Sequence, residues 1–488
     1  MPGLKLELET QLFIGGEFRP ARSGRRFTTV NPATEEVIAE VAEAGPEDVD
    51  EAVRAARSAF EAGSWAAIGA KRRGELLWRM GELVKGKWLE PLSEAETADT
   101  GKTLFDSGRV ELPLAGDIFQ YYAGWATKLG GETVPVRGGA FAYTLREPVG
   151  VAGLVVPWNF PFLLACWKIA PALAAGCTVV VKPSSQTPLS ALLLGALARE
   201  AGLPPGVLNV LPGPGSAAGM ALVRHPGVDK VAFTGSTEVG REVMRAAADG
   251  VKRVTLELGG KSPNLVFADA HLRAAAKGAL GGIFYNKGEV CAAGSRLLVE
   301  RRVFDEVAGL VVEGAKKLTL GDPRRKETRL GPLVSAAQRE KVLSYVKAGR
   351  AAGAPLLCGG EAASVDGKGF YVQATVLGPV SNDSQLAREE VFGPVLAIVP
   401  FEDEADAVRL ANETAYGLAA GVWTTDVKRA HRVSRALRAG TVWVNAYNLY
   451  DPALPFGGYK QSGFGRELGE AGLDAYTETK SVWVDLGV

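Results

Sequence analysis

Cysteine and histidine are scarce in this 488-residue chain, which contains four of the first and three of the second. No two cysteines stand in a CxxC spacing, and the histidines show no ligand pairing. The sequence therefore predicts neither a disulfide framework nor a structural zinc site, and no other metal site is expected.

An excess of one charge sign is also absent, because 55 basic residues balance 55 acidic ones. Such a chain offers no electrostatic footprint for nucleic acid or for an anionic membrane surface. Every apolar run is interrupted by Pro, Gly or Lys before it reaches membrane-spanning length. The N-terminus lacks the basic-then-hydrophobic pattern of a signal peptide. We expect a soluble, cytoplasmic protein with neither nucleic acid nor membrane as a partner.

What the chain does have is an alternation of short Val-rich runs with helical patterns. The helical stretches include PEDVDEAVRAARSAFEAG (46–63), which carries the start signals of an amphipathic helix. The alternation indicates βαβ units and a parallel sheet with helices on both faces. Five runs are typical of strands buried on both faces: GVAGLVVP (150–157), CTVVVKP (177–183), GVLNVLP (206–212), KVAFTG (230–235) and RVTLELG (253–259).

A second alternating region, from about Leu265 to Asn445, predicts a second α/β domain. The boundary between the two domains falls near Glu257 to Pro263. The strands predicted in this region are SRLLVE, YVQATVLG, VLAIVPF, LAAGVWT and GTVWVN.

Two segments stand outside this alternation. Residues 131–148 contain two strand-like runs around Gly138 and Gly139, which predicts a hairpin. The C-terminal ETKSVWVDLGV is typical of a strand with no helix after it. Because these strands would expose their edges in a monomer, we expect them to pair across a subunit interface in a homo-oligomer.

Several features at predicted strand ends favour a nucleotide crevice. GPGSAAG (213–219) fits a loose dinucleotide fingerprint, although no acid stands convincingly after the next strand. TGSTEVGRE (234–242) places Ser236 at a helix start, and KPSSQTP (182–188) places Lys182 at a strand end. Each alone is compatible with an ordinary turn or a surface lysine, whereas together they indicate a ligand site at one sheet edge.

Three polar residues are candidates for chemistry. Asn159, in PWNFP, is either a positioned side-chain donor or the cap of the following helix. Glu257, at the tip of LELGG, is either an ordinary solvated or paired acid or a general base with a raised pKa. Cys291, in GEVCAAGSR, has small neighbours that leave room for a substrate near the backbone amides.

Seven motifs occur in the order found in the aldehyde dehydrogenase superfamily: PWNFP, KPSSQTP, FTGSTEVG, LELGGKSP, GEVCAAGSR, EEVFGPV and PFGGYKQSGFGREL. From about Phe13 to its end, the chain resembles a non-phosphorylating, NAD(P)-dependent aldehyde dehydrogenase. The resemblance implies the α/β aldehyde dehydrogenase fold, with two parallel-sheet Rossmann-like domains plus a small β oligomerisation arm. The implied layout is an NAD(P)-binding domain (1–128 and 149–257), a catalytic domain (258–445), an oligomerisation arm (129–148 and 474–488) and a segment at the substrate mouth that returns to the cofactor domain (446–473).

The resemblance also assigns catalytic roles. Cys291 is implied to be the nucleophile that forms a thiohemiacetal and then a thioester. The Asn159 side-chain amide and the Cys291 backbone N–H are implied to bind the oxyanion. Glu257 is implied to activate the water that hydrolyses the thioester. Relatives that transfer the acyl group to coenzyme A generally lack this glutamate, so hydrolysis to a free acid is expected and acylation of coenzyme A is the alternative.

For the cofactor, the resemblance assigns Lys182 to the adenosine ribose, Trp158 and Ser236 to the pyrophosphate region, Gly215 to the adenine side and Glu390 to the nicotinamide ribose. The remaining positions that the resemblance assigns to the cofactor site are Val156, Pro157, Phe233, Gly235, Leu258 and Phe392.

Two positions depart from the family pattern. Ser185 stands where many NAD-preferring relatives have a glutamate that repels a 2′-phosphate. We therefore expect NADP to be accepted, either alongside NAD or in preference to it. Glu289 stands where Gln is frequent, and we interpret it as a solvated side chain with no assigned role.

The aldehyde tunnel is implied to be lined by Phe160, Trp167 and Phe456, which suits an apolar aliphatic or aromatic aldehyde. Core packing is the alternative for each of them. Glu467 matches a carboxylate that relatives use in proton relay, although an acid at a helix N-terminus is the plainer interpretation.

A cysteine hydrolase is the rival from another enzyme class. It would need a histidine base, and the three histidines stand in segments predicted as loop or helix surface. A fold retained without catalysis is the other rival. It predicts the loss of the cysteine, the glutamate or the asparagine, all of which are present.

Overall fold

The computed structural model describes residues 8–61 and 64–487. Residues 1–7, 62–63 and 488, which belong to the predicted first domain, first helix and arm, lie outside the described residues. The strands are, in chain order, β1 (Leu12–Ile14), β2 (Glu17–Arg19), β3 (Arg26–Val30), β4 (Val37–Ala42), β5 (Thr133–Val134), β6 (Ala140–Pro148), β7 (Val151–Val155), β8 (Thr178–Lys182), β9 (Leu208–Val210), β10 (Lys230–Thr234), β11 (Arg253–Glu257), β12 (Pro263–Val266), β13 (Arg296–Glu300), β14 (Leu356–Cys358), β15 (Ala362–Val365), β16 (Lys368–Val372), β17 (Thr375–Leu377), β18 (Val395–Phe401), β19 (Ala419–Trp423), β20 (Thr441–Val444), β21 (Gly463–Phe464) and β22 (Thr477–Asp485).

The α-helices are α1 (Pro46–Glu61), α2 (Ser64–Ala67), α3 (Gly69–Lys85), α4 (Leu89–Thr100), α5 (Leu112–Trp125), α6 (Pro161–Ala175), α7 (Leu189–Ala201), α8 (Met220–Arg224), α9 (Thr237–Ala248), α10 (Leu272–Phe284), α11 (Phe304–Lys316), α12 (Ala336–Ala351), α13 (Gln385–Arg388), α14 (Glu404–Asn412), α15 (Val427–Ala436) and α16 (Gly469–Asp474). Among the described residues, no helix is long and apolar enough to cross a membrane.

The first sheet has eight strands in the order β2-β1-β9-β8-β7-β10-β11-β21. The five strands predicted between residues 150 and 259 are its parallel centre, β7 to β11. The two-residue β21 pairs antiparallel with the end of β11, so that a late segment of the chain returns to this sheet. Parallel strands end at one sheet edge, which is where ligands bind in open α/β sheets.

Burial on both faces holds for β7 to β10, in which every residue is buried. In β8, Val180 packs in one core cluster with helix α1, and Val179 and Val181 pack in another on the opposite face. The expectation is wrong for β11, whose first residue Arg253 is exposed. On its outer side β11 has a strand neighbour only at its end, where β21 pairs with Leu256 and Glu257.

The second sheet has seven strands in the order β14-β17-β18-β13-β12-β19-β20, parallel except for β14. The predicted strand YVQATVLG is wrong as one element. Its first residues end β16, which pairs with β15 in a separate hairpin, and Thr375 starts β17 in the main sheet. One core cluster contains residues of both sheets, including Leu154 and Leu297. Cys291 is half-buried against that cluster, between the two sheets.

The predicted hairpin forms as β5 and β6, and β22 completes a three-stranded antiparallel sheet in the order β22-β6-β5. The pairing of β22 with β6 runs over nine residue pairs, from Thr477 opposite Pro148 to Asp485 opposite Ala140. The C-terminal strand is thus paired within its own chain rather than only across an interface. The outer edges of β22 and β5 have no strand partner among the described residues.

Candidate active site

Cys291 is the residue at which two cavities meet. It lies three residues beyond a short turn, Tyr285–Gly288, that follows helix α10. A cavity of about 510 Å³ opens on one side of it, and a cavity of about 200 Å³ opens on the other. Val290 and Ala292, the neighbours of Cys291 in the chain, are buried and small. Molecules in either cavity can therefore reach the same sulfur.

The Cys291 thiol is protonated at neutral pH in this environment. Burial, together with the nearby carboxyl groups of Glu390 and Glu257, raises the pKa of Cys291 to about 12. The backbone N–H groups of Cys291 and Ala292 act in the opposite direction. A nucleophile with this pKa needs a base or a positive charge nearby before it can attack.

Glu257 ends strand β11 and is almost completely buried. Burial, and next the neighbouring Glu467 carboxyl, raise the pKa of Glu257 well above its usual range, against the pull of Lys168 and Arg466. Neither carboxyl oxygen of Glu257 has a hydrogen-bond partner of good geometry within the described ranges, although the backbone N–H of Gly458 acts to lower its pKa. A buried carboxyl left unsatisfied is available to a proton or to water, as a general base requires.

Asn159 does not cap the helix that follows it. The residue at the N-cap of α6 is Phe160, and the first turn of that helix is capped by the Glu96 carboxylate, which accepts from the Phe162 N–H at 2.8 Å. The Asn159 Nδ2 group instead donates a hydrogen bond to the backbone oxygen of Glu289, at 3.0 Å. Asn286 Nδ2 donates to the backbone oxygen of Asn159, at 3.1 Å. The Asn159 amide is thus fixed, and its second N–H remains for a ligand.

The smaller cavity brings together residues from five distant motifs. Gly259 leaves the room that Glu390 occupies, since a Cβ at Gly259 would lie 2.5 Å from a Glu390 carboxyl oxygen. The backbone N–H of Gly260 donates to Glu390, at 2.9 Å. Burial raises the pKa of Glu390 to about 7. The predicted cofactor residues that line this cavity are Pro157, Trp158, Gly235, Ser236, Leu258, Glu390 and Phe392.

The other predicted cofactor residues lie outside the smaller cavity, on or just after strands of the first sheet. They are Val156, Lys182, Ser185, Gly215 and Phe233.

Lys182 is the strongest sign of a bound anion or polyol at this edge. Its ammonium group is buried and donates to the backbone oxygen of Gly213, at 3.3 Å. Burial lowers the pKa of Lys182 to about 8. No carboxylate pairs with it in the part of the chain that the structure describes, and burial alone shifts its pKa. Ser236 caps the start of α9, where helix N–H groups face outward. These donors fit the ribose and pyrophosphate of a dinucleotide.

The larger cavity is lined mainly by apolar and aromatic side chains. Phe160, Trp167 and Phe456 line it as predicted, and Trp167 contacts Phe456 edge to face at 5.3 Å between ring centroids. Tyr450 completes this aromatic cluster, at 5.9 Å from Trp167 and 5.7 Å from Phe456. Tyr285 stacks on Phe160, at 6.0 Å.

Several lining residues escaped the sequence interpretation. Tyr447 and Tyr450 line the larger cavity, and Gln338 and Lys341 line the smaller one. Gln338 and Lys341 stand three residues apart on α12, so they share one helix face. That spacing is the one sequence signal that groups these two residues. It does not distinguish a helix face that lines a cavity from a helix face that packs in the core.

Two acidic residues lie in the interior, and for Glu289 this makes the interpretation as a solvated side chain wrong. Glu467, two residues before the start of α16, is buried and ion-paired with Lys168, and it does not line the larger cavity. Lys168 also donates to Thr234 Oγ1, at 2.6 Å. Glu289 is not solvated: its side chain is fully buried and lies 2.9 Å from the ammonium of Lys287. Both carboxylates face inward because a buried lysine offsets the cost of their charge.

The sequence and the fold match a known protein family. The model of the aldehyde dehydrogenase family matches residues 18–482. The human mitochondrial aldehyde dehydrogenase is 49% identical over 476 residues, which cover 97% of this chain and 92% of that protein.

Solved structures agree with this match. The structure of the Bacillus cereus aldehyde dehydrogenase in complex with NAD+ has a TM-score of 0.96 and 48% identity, covering 98% of this chain and 97% of that one. An indole-3-acetaldehyde dehydrogenase from P. syringae has a TM-score of 0.97 and 44% identity, covering 99% and 98%. The resemblance seen in the motifs is confirmed: the chain belongs to the aldehyde dehydrogenase family and is an NAD(P)-dependent oxidoreductase that acts on aldehydes.

Proposed function

We propose that the protein oxidises an aldehyde to a free carboxylic acid through a thioester on Cys291. The position of Cys291 carries this proposal, because the sulfur lies where the larger, apolar cavity meets the smaller, polar one. An aldehyde in the larger cavity and a dinucleotide in the smaller one would meet at this atom.

The first step is the attack of the Cys291 sulfur on the carbonyl carbon. A carbon–sulfur bond forms, the carbonyl π bond breaks, and the thiol proton passes to Glu257 in its ionised form, which the raised pKa makes a stronger base. The oxyanion accepts hydrogen bonds from the free N–H of the Asn159 amide and from the Cys291 backbone N–H. Donors fixed before the reaction stabilise this charge most, and the hydrogen bond from Asn159 to Glu289 supports such a role.

When it is bound, the nicotinamide dinucleotide supplies the acceptor for the hydride that leaves the thiohemiacetal carbon. The carbonyl bond re-forms, and a thioester remains on Cys291. Glu257 then releases the thiol proton to solvent and removes a proton from water. The resulting hydroxide attacks the thioester carbon, the carbon–sulfur bond breaks, and the proton on Glu257 returns to the Cys291 sulfur. The net products are a carboxylic acid, the reduced cofactor and a proton. The buried, unsatisfied carboxyl of Glu257 supports this second role.

For the cofactor, the proposal places the adenosine ribose near Lys182, the pyrophosphate near Trp158 and Ser236, and the nicotinamide ribose near Glu390. Ser185 lies half-buried just after strand β8, close in sequence to Lys182. Serine brings no negative charge to this position, so nothing there repels a 2′-phosphate. We propose that NADP is accepted, alongside NAD or in preference to it.

The substrate is proposed to be an apolar aliphatic or aromatic aldehyde. The aromatic cluster of Trp167, Tyr450 and Phe456 supports this class, because ring faces and edges pack well against apolar substrates.

The subunits are proposed to associate as a dimer or tetramer through the sheet of β5, β6 and β22. Its outer edges and the exposed Trp483 support this.

The test is the formation of reduced cofactor, followed by absorbance, with NAD and NADP separately and without coenzyme A. The panel contains short aliphatic, long aliphatic and aromatic aldehydes. We expect turnover with wild type and none with Cys291→Ala at an unchanged melting temperature. Turnover by Cys291→Ala would contradict the proposal. A requirement for coenzyme A would favour the acylating alternative, against which Glu257 argues.

A further inference from the structure

The loop that leads to Cys291 has an unusual backbone. Three successive residues, Asn286, Lys287 and Gly288, have positive φ values of 44°, 59° and 74°. A Cβ at Gly288 would lie 2.1 Å from the backbone oxygen of Gly393, so only glycine fits there. The other two residues pay a conformational cost in the left-handed region. Such a loop holds its shape only when surrounding contacts fix it.

The side chain of Glu289 supplies those contacts. One carboxyl oxygen accepts a hydrogen bond from the Val334 N–H, at 3.0 Å, and the other lies 2.9 Å from Lys287 Nζ. Lys287 in turn donates to the backbone oxygen of Thr100, at 2.9 Å. Lys287 and Glu289 are both almost completely buried. The pair therefore connects the loop to the end of α4 and to the segment before α12.

The main chain of Glu289 connects the same loop to the oxyanion donor. Its backbone oxygen accepts from Asn159 Nδ2, at 3.0 Å, and from Asn286 Nδ2, at 3.2 Å. Its backbone N–H donates to the oxygen of Asn286, at 3.0 Å. A buried ion pair thus fixes the side chain of Glu289, and the hydrogen bond from Asn159 fixes its carbonyl group. Cys291 follows two residues later.

We propose that the buried Lys287–Glu289 ion pair is a positioning device for the reaction. It holds the carbonyl of Glu289 where it orients the Asn159 amide, and it holds the backbone that presents Cys291. The inference rests on the proposed roles of Asn159 and Cys291. Glu289 and Lys287 line neither cavity, so they act through the loop and not on the substrate.

The test is a double-mutant cycle of Glu289→Gln and Asn159→Ala, measured as kcat and KM. Asn159→Ala removes an oxyanion donor and should lower kcat by about 10²–10³. Glu289→Gln leaves the Lys287 charge without its partner and should lower kcat by about tenfold to a hundredfold, with little change in the KM for cofactor. If Glu289 acts through Asn159, the double variant is no slower than Asn159→Ala alone. Losses that multiply would overturn the inference, as would an unchanged kcat in Glu289→Gln.

A rescue tests the ion pair itself. Lys287→Met combined with Glu289→Gln removes both charges, and its kcat should lie closer to wild type than that of either single variant. A double variant slower than both would contradict the proposal. If Glu289→Gln does not fold, Glu289→Asp carries the same cycle, because it keeps the charge but is too short to reach both partners.

Glu300→Gln is the matched control. Glu300 is also a buried carboxylate that accepts a backbone N–H, from Ala268 at 2.7 Å, and pairs with a cation, Arg302. It lines neither cavity, so we expect an unchanged kcat whatever its effect on melting temperature. Failure of the proposed function is separable from failure of this inference. Full activity in Asn159→Ala would contradict the proposed function. A double variant whose loss of kcat is the product of the two single losses would contradict only the inference about the ion pair.

Discussion

Replacing Glu257 by glutamine should slow the enzyme and stabilise it at the same time. The wild-type carboxyl is buried without a hydrogen-bond partner of good geometry in the described ranges, and its pKa is raised well above the usual value. Between the unfolded pKa of about 4.3 and the raised native pKa, the native state holds a proton that the unfolded state has lost. The free energy of unfolding of wild type therefore falls as the pH rises through that window.

Glutamine has nearly the same shape as glutamate but does not titrate. The free energy of unfolding of the variant therefore does not fall as the pH rises through this window. Each unit by which the native pKa is raised is worth about 1.4 kcal/mol. We expect Glu257→Gln to equal wild type in stability near pH 4 and to exceed it at neutral pH, because only the wild-type stability falls through this window. Urea unfolding at both pH values measures this. The same difference at both would contradict the burial argument.

The kinetic effect of Glu257→Gln has a characteristic form. Without a base to activate water, steady-state turnover should fall by about 10²–10⁴, the usual contribution of general base catalysis. The thioester still forms, so a burst of about one reduced cofactor per active site should precede the slow phase. The amplitude of the burst shows whether the thioester forms. The rate of the burst does not separate the two roles of Glu257, because Glu257 is also proposed to take the thiol proton in the first step. Unchanged turnover would refute the assignment of the base.

Four further predictions follow from individual contacts. Ser185→Glu should shift the ratio of kcat/KM values toward NAD, because a carboxylate repels a 2′-phosphate; an unchanged ratio would place specificity elsewhere. Lys168→Met leaves the buried Glu467 carboxylate unpaired and should lower the free energy of unfolding by about 3–5 kcal/mol in urea; a change below about 1 kcal/mol would contradict this. Alkylation of Cys291 without cofactor should speed up about tenfold per pH unit from about pH 7 to about pH 9, because its pKa is raised to about 12; a plateau in that range would mean a lower pKa. Trp483→Asp should reduce the oligomer mass in light scattering, because Trp483 is exposed on the edge strand β22; an unchanged mass would move the interface to another surface.

The strands and the main site residues could be predicted because their signals are local. Val-rich runs mark β7 to β10, and Asn159 and Glu257 stand in short motifs at or after strand ends. Cys291 stands in a short motif after the turn that follows α10. The split of the predicted strand YVQATVLG could not be foreseen, since both halves have the same apolar character. What divides them is pairing with two different sheets, which depends on distant segments.

The interpretation of Glu289 failed for a different reason. Residues two apart do not face each other in a regular helix, so Lys287 and Glu289 give no pairing signal in the sequence. The run of positive φ angles before Glu289 brings the two charges together and turns both inward. Similarly, Tyr447 and Tyr450 line the larger cavity from a loop whose position depends on packing across both sheets.

The central claim is that Cys291 carries the acyl group, and mass spectrometry of a trapped intermediate tests it most directly. Glu257→Gln is mixed with an aromatic aldehyde and NADP, quenched in acid and digested. We expect a peptide containing Cys291 whose mass is increased by the acyl group, and no such adduct on the Cys291→Ala, Glu257→Gln double variant. An acyl group on any other residue, or cofactor reduction with no covalent adduct, would contradict it.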